Sequence, residues 1–395
     1  MLKIKDVNFK GLKVLIRVDF NVPLDQSFNV TDDTRIRAAK PTILRVLQDG
    51  GSCILMSHLG RPSGIEDKFS LKHIVLTLEE LIGKSVIFSS SCIGEEAYKS
   101  AKFLQPGQVL LLENLRFHEE ETTGGVEFAK ELSTLADFYI NDAFGTAHRA
   151  HASTTVIAKF FPKTKCFGLL LSKEIESIDK IMLSGKRPVL AILGGAKVSS
   201  KITIIENILD KIDHLIIGGG MSFTFIKAKG GDIGDSICED DKQGLALEIL
   251  ELANTKNVKV HLPVDVIVAN EFSNSASTKV VDIGSIPMNW QGLDCGPRSK
   301  ALFHDVIQQC KTILWNGPAG YFENPSFALG SYEIAKKIVE KSKNNLIYSI
   351  AGGGDTIAVL NQINVINNFN FVSTAGGAFL EYLEGKELPG IKALN

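Results

Sequence analysis

The sequence has no apolar run approaching the ~18 consecutive apolar residues that a membrane-spanning helix requires. Its opening, MLKIKDVNFKG, interleaves charged and apolar residues and has no apolar h-region. No signal peptide and no membrane partner are therefore expected, and a cytoplasmic location is. Cysteine is sparse. Cys53, Cys92, Cys166, Cys238, Cys295 and Cys310 lie at least 15 residues apart and form no CxxC pair. That spacing disfavours a zinc site and a compact disulfide framework, and it points to reduced thiols. Neither charge sign dominates: 43 Lys and Arg stand against 45 Asp and Glu, a net charge of −2. A near-neutral chain gives no reason to expect a polyanionic partner, so nucleic acid is not anticipated. Low-complexity tracts and short repeats are absent too.

What is present is globular. Hydrophobic residues make up 44% and charged residues 22% of 395, and at about 150 residues per domain that length predicts two or three domains. Short β-branched apolar runs recur at 14–18, 53–56, 109–112, 189–193, 214–217, 258–262, 312–315 and 345–350. Amphipathic stretches of helical length follow many of them, at 33–48, 71–81, 201–209, 239–253, 331–341 and 355–361. Strands buried on both faces and alternating with helices mean parallel sheets covered on both sides. The expected fold class is α/β, with two doubly wound parallel-sheet domains joined by an interdomain helix. The seam is expected within 170–187, where SKEIESIDKIMLSGKRP reads as one solvated helix ended by Gly185, equally a lever between domains or an ordinary packed helix.

The two halves carry different chemistry. Seven of nine arginines, Arg17, Arg35, Arg37, Arg45, Arg61, Arg116 and Arg149, fall in the first 150 residues. Arginine grips carboxylate and phosphate with a planar fork. Arg17 and Asp19 close the first strand, His58 and Arg61 follow the second in SHLGRP, Arg116 follows another in LLENLRF, and Arg149 lies in HRAH. In a parallel sheet those are the ligand-bearing ends. Any one arginine alone would read as a surface salt bridge, but several at matching strand ends favour a common anionic site.

The second half concentrates glycine: Gly194-Gly195, Gly218–Gly220, Gly352–Gly354 and Gly376-Gly377, each between an apolar run and an expected helix. Glycine there lets the backbone approach an anion and aim N–H groups at it. None of the four matches GxxxxGK[ST] or GxGxxG, so Walker and Rossmann assignments fail. Lys197 and Lys201, four apart in GGAKVSSK, are expected on one face of the first helical turns, where a cation is misplaced unless an anion sits there. Asp355 is readable as an N-cap or as a ligand to a magnesium ion carried by a nucleotide. His58, His148 and His151 lack metal-ligand spacing, HEEETTGG at 118–125 reads as a solvated loop, and no GxSxG elbow or Ser/His/Asp set appears.

Read in order, RVDFNVP at 17–23, TRIRAAKPTI at 34–43, SHLGRP at 57–62, LLENLRFHEEE at 111–121 and NDAFGTAHRAHAS at 141–153 resemble the phosphoglycerate kinase family. GGAKVSSK at 194–201, GLDCGP at 292–297, WNGPAGYFE at 315–323, GGGDT at 352–356 and STAGGAFLEYLEGKELPG at 373–390 extend the resemblance end to end. The resemblance implies reversible transfer of the acyl phosphate of 1,3-bisphosphoglycerate to Mg-ADP, giving 3-phosphoglycerate and ATP. It also implies a monomer, with Mg²⁺ as cofactor and only small-molecule substrates as partners. It further implies a phosphoglycerate-binding domain at 1–170, a connecting helix at 171–186 and a nucleotide-binding domain at 187–375. A segment at 376–395 would return to the first domain.

Carried over by position, Asp19, Asn21, His58, Arg61, Arg116 and Arg149 resemble the family's phosphoglycerate set, and Arg35 the arginine that reaches the moving phosphoryl group. Lys197 and Lys201 match lysines on the nucleotide phosphates, and Asp355 the metal-holding residue, with Gly353, Gly354 and Thr356 beside it. Glu323 matches the ribose contact; Gly219, Gly220, Gly292, Asn316, Gly317 and Pro318 match the adenosine pocket. Gly376 and Gly377 match the helix start facing the transferred group. Three positions depart from the family's usual pattern: Ala375 where a third glycine is usual, and Ala319 and Tyr321 inside WNGPAGYFE. Two other readings remain at this point: a different acyl-phosphate kinase of the acetate-kinase type, and a non-catalytic protein that has kept the fold.

Overall fold

The computed structural model describes residues 2–273 and 276–395. The chain divides into two compact units, Met1–Ile175 with Glu387–Asn395, and Glu176–Lys386.

The first unit is built on seven parallel strands in the order Leu2–Lys3, Lys165–Phe167, Phe138–Asn141, Lys13–Arg17, Ser52–Met56, Val109–Leu111, Val86–Phe88. Its central strands are buried throughout, as continuous apolar runs such as CILM and VLL require. After the edge strand Leu2–Lys3 the chain enters the centre at Lys13–Arg17, builds outward on one side through Ser52–Met56, then returns to the other side through Phe138–Asn141. The order therefore reverses at Lys13–Arg17, and Arg17 stands level with Met56 and Asn141 at the strands' carboxyl ends. Such a reversal opens a crevice above the strand ends. The helix Thr34–Gln48 covers the sheet with Ile36, Ala39, Ile43, Val46 and Leu47, and this spacing of apolar residues is that of a helix with one core-facing stripe.

Among the described residues the main sheet of the second unit has six parallel strands in the order Lys259–His261, His214–Ile217, Val189–Leu193, Thr312–Asn316, Tyr348–Gly352, Phe371–Ser373. Its reversal lies between Val189–Leu193 and Thr312–Asn316, where Leu193 pairs with Asn316. Beside this sheet, Thr278–Asp282, Asp265–Ala269 and Gln291–Cys295 make a small antiparallel sheet that was not anticipated.

Three local expectations are corrected. The connecting helix runs Leu169–Met182, ends before Gly185, and buries Leu171, Glu174, Ser177, Ile178 and Ile181 along one face, so it is not solvated all round. The stretch 118–125 is not a loop but carries the helix Glu119–Thr123, with Gly124 at φ 75° as its C-cap. Within it Glu121 is fully buried, because Ser153 offers it two hydrogen bonds. Finally, 194–201 stays irregular and the following helix is Ile202–Ile208, so Lys197 is outside it and Lys201 is its N-cap. The two lysines share no helical face. Glycines at 194 and 195 let this segment pack on the Asn316–Pro318 turn, through Gly194 N–H to the Asn316 carbonyl at 3.0 Å and Gly195 N–H to the Pro318 carbonyl at 3.1 Å.

Candidate functional site

In the first unit the crevice above the strand ends becomes a cavity walled by Arg61, Arg116 and Arg149, with Phe117, His118 and Thr122. Arg116 is reached through the 3-10 turn Leu115–Phe117, whose N-cap Asn114 accepts the Arg116 N–H at 3.0 Å. The Arg116 guanidinium donates to the Gly60 carbonyl at 2.7 Å, and the Gly60 N–H donates to Asn21 Oδ1 at 2.8 Å. Asn21 thus fixes the turn that aims Arg116. Burial, together with the guanidinium charges of Arg17, Arg149 and Arg61, pulls the Arg116 pKa down to about 10, Glu121 opposing them. A cationic group under that pressure gains most from an arriving anion. Arg149 Nε donates to His148 Nε2 at 3.1 Å. Arg35 pairs with Asp19 at 2.9 Å, both partly exposed.

His58 is buried, and burial followed by the charges of Arg17, Arg116 and Arg35 holds its pKa well below the ordinary histidine value. His151 is pushed down to about 4, by burial and then by Arg17, Arg116 and Arg149. Arg17 does not face the cavity, as its place at the strand end had suggested. It is fully buried beneath it, donating from Nε to Ser153 Oγ at 2.9 Å and from one Nη to His58 Nδ1 at 3.1 Å. Glu121 and Ser153 were missed at the sequence level. Nothing in HEEETTGG or HRAHAS says which of several acids and hydroxyls turns inward.

In the second unit, a cavity opens beside the reversal point, walled by Gly219, Gly220, Gly292 and Pro318 with apolar Phe223 and Val266. Glu323 and Asp355 also line it. Gly219 has φ 65°, and a Cβ there would sit 2.8 Å from Gly195 N, so the close approach of the two glycine turns needs glycine. The Lys201 ammonium donates to Asn316 Oδ1, and Asn316 Nδ2 donates to the Gly352 carbonyl at 2.7 Å. Asn316 and Gly317 therefore sit behind the cavity, Asn316 as the support under Lys201, and the Gly317 N–H donates to Thr356 Oγ1 at 2.7 Å. Burial lowers the Lys201 pKa, with Asp355 and Glu384 opposing.

Asp355 is exposed in the first turn of the helix Gly354–Gln362, whose N-cap is Gly353 at φ 96°; Asp355 is thus not the cap itself. Lys197 is exposed. Gly376, at φ 53°, is the N-cap of the helix Gly377–Leu383. The left-handed turn falls there and not at Ala375, so the alanine is accommodated without strain. Ala319 is buried in the cavity wall, and Tyr321 stands at its rim in an edge-to-face pair with Phe272, centroids 5.5 Å apart.

The sequence pattern of the family described as phosphoglycerate kinase matches residues 4–386. A phosphoglycerate kinase of Porphyromonas gingivalis is 48% identical, the match covering 100% of both chains. A cytosolic phosphoglycerate kinase of Nicotiana tabacum is 48% identical over 99% of this chain and 97% of its own. Among solved structures, the phosphoglycerate kinase of Coxiella burnetii superposes with a TM-score of 0.90 at 40% identity, covering 100% of this chain and 98% of that one.

Proposed function

The chain belongs to the phosphoglycerate kinase family and is a phosphotransferase with a carboxyl group as acceptor; from that premise we propose that it transfers the acyl phosphate of 1,3-bisphosphoglycerate directly to Mg-ADP, in the glycolytic setting of that reaction. The observation carrying this reading is the convergence of Arg61, Arg116 and Arg149 on one cavity. Three guanidinium forks suit a small acid with a phosphate at one end and a carboxyl group at the other. The glycine-walled, largely apolar cavity of the second unit suits a nucleoside, with Asp355 in its wall and Lys201 held on Asn316 behind it for the phosphates.

In the ATP-forming direction an oxygen of the ADP β-phosphate attacks phosphorus, the bond to the acyl oxygen breaks, and 3-phosphoglycerate leaves as a carboxylate. In reverse the nucleophile is that carboxylate, already ionised at neutral pH with a pKa of about 4, so no general base is needed. What the protein supplies is position and charge. Arg35, held ready by Asp19, exchanges that carboxylate for the moving phosphoryl group. Lys201, held by Asn316, meets the nucleotide phosphates, and the N–H groups at Gly376 and Gly377 face the transferred group. The exposed carboxylate of Asp355 would hold a magnesium ion whose other ligands would be water and phosphate oxygens. When bound, that ion neutralises phosphate charge.

Because the acid site and the nucleotide site belong to different units, in-line transfer calls for domain closure, which also excludes water. The assay is coupled turnover of ATP with 3-phosphoglycerate and Mg²⁺, beside acetate and glycerate as alternative acceptors. Turnover with 3-phosphoglycerate alone is expected. Equal or better turnover with acetate would overturn the substrate assignment.

A further inference from the structure

The buried polar groups beneath the arginine cavity form one directed chain. Glu121, fully buried, accepts the Ser153 hydroxyl on Oε1 at 2.7 Å and the Ser153 N–H on Oε2 at 3.0 Å. Ser153 Oγ in turn accepts from Arg17 Nε at 2.9 Å. A second Arg17 nitrogen is tied to the Val18 carbonyl, and the third meets His58 Nδ1 at 3.1 Å. Direction follows from chemistry. A guanidinium has five donors, no acceptor and no accessible deprotonated form. His58 Nδ1 must therefore offer its lone pair, which leaves the proton of the neutral ring on Nε2.

We propose that Arg17, aligned by Ser153 and Glu121, locks His58 as the neutral Nε2–H tautomer and so makes it a fixed hydrogen-bond donor to the bound acid. Arg17, Ser153 and Glu121 are then positioning residues. The inference rests on the proposed phosphoglycerate site for the identity of the acceptor, and on the Arg17–His58 contact for the tautomer.

Burial weighs most against a charged His58, and the cations around it work the same way. Arg17 from its strand, Arg35 from the helix Thr34–Gln48, Arg116 from the turn Leu115–Phe117 and His151 all disfavour an imidazolium, as does burial. The nearby acid, Glu121, is spent on Ser153 and on the Arg17 charge. His151 does not compete for it, since its Nδ1 lies 3.8 Å from Glu121 Oε1, beyond hydrogen-bond range. Protonating His58 would set an N–H head-on against the Arg17 N–H. The consequence is functional: three arginines already supply charge at this cavity, and a neutral, oriented donor adds direction without making affinity follow histidine titration near pH 6.5.

The test is ¹H–¹⁵N correlation of the imidazole nitrogens in the full-length, ¹⁵N-histidine-labelled protein between pH 8 and 5, His58 being assigned by difference with His58→Gln. Expected is a lone-pair Nδ1 and a protonated Nε2 throughout. A His58 that carries its proton on Nδ1, or that titrates near pH 6.5, overturns the proposal. Ser153→Ala removes the hydroxyl link while leaving Arg17 and Glu121 in place. It should give His58 shifts that move with pH, and weaken 3-phosphoglycerate binding, followed by titration, about three- to tenfold. Unchanged spectra and affinity in Ser153→Ala would remove Ser153 and Glu121 from the chain. Because the parent spectrum needs no turnover, a protein inactive on 3-phosphoglycerate would refute the functional reading and leave the tautomer assignment standing or falling by itself.

Discussion

Arg35 and Lys201 each have a side-chain partner, Asp19 and Asn316, that must let go or stay. Arg35 is held by Asp19 at 2.9 Å on the flank of a helix and is about one-third exposed. Arg35→Ala should lower kcat about a thousandfold while changing KM for either substrate only slightly, the signature of an interaction made in the transition state. Parallel losses in kcat and in 3-phosphoglycerate affinity would make it a substrate anchor instead. Lys201 is supported by Asn316 and destabilised as a cation by burial. Lys201→Ala should cut turnover at least a hundredfold with far-UV circular dichroism unchanged; near-parent turnover would remove Lys201 from the site. That Arg61, Arg116 and Arg149 share one cavity, and Gly219, Gly220 and Asp355 another, was legible in the sequence, because strand ends and glycine turns mark where a parallel sheet holds ligands. Partnerships were not: Arg17 with Ser153, and Asn316 under Lys201, join residues more than 100 positions apart.

Helices and strands followed their apolar periodicity closely, as at Thr34–Gln48 and Val189–Leu193. The departures fall where hydrogen bonding from outside the element decides. The strand expected from 345 begins at Tyr348, since Asn345 takes φ 52° in the turn that ends the preceding helix. The helix Leu169–Met182 starts against buried Asp142, whose Oδ1 accepts the Leu171 N–H at 3.0 Å. Burial pushes the Asp142 carboxyl up to about 7, against hydrogen bonds from Thr42, Leu171 and Leu170. Its native pKa thus lies above the unfolded value near 3.8, so the native state holds the proton more tightly. Folding is penalised in full above about pH 7 and progressively relieved as pH falls below it. Asp142→Asn removes that dependence. In urea titrations its stability relative to the parent should be greater at pH 8.5 than at pH 5.5, by about 2 kcal/mol. A difference that does not change with pH would show that the carboxyl is ionised alike in both states.

Over the whole chain, the first unit is completed by residues 387–395, which arrive after the entire second unit has been built. The Gly390 N–H donates to the Ala147 carbonyl at 2.8 Å, Lys165 Nζ donates to the Ala393 carbonyl at 2.7 Å, and Leu388 and Leu394 are buried. Truncation after Lys386 exposes those side chains and should destabilise the first unit by roughly 3–6 kcal/mol. Both tryptophans, Trp290 and Trp315, belong to the second unit. The truncated chain should therefore show an early far-UV transition with the tryptophan fluorescence transition kept in place. Coincident early loss of both signals would mean that the units do not unfold separately. Closure is tested by small-angle scattering: the radius of gyration should fall when 3-phosphoglycerate and nucleotide are bound together, and no change with both present would oppose the mechanism.

Composition, apolar periodicity and the order of short charged and glycine-rich motifs determined the α/β class, the two-sheet plan, the family and the arginines and glycines that line the two cavities. All of these depend on residues close together along the chain, or on patterns repeated within it. Which arginine is buried, which glutamate counters it, which asparagine supports the lysine, and which nitrogen of His58 carries the proton were decided only by tertiary structure. Each depends on a hydrogen-bond geometry between distant segments, and the free energy of burying a polar group is set by the partner it meets there.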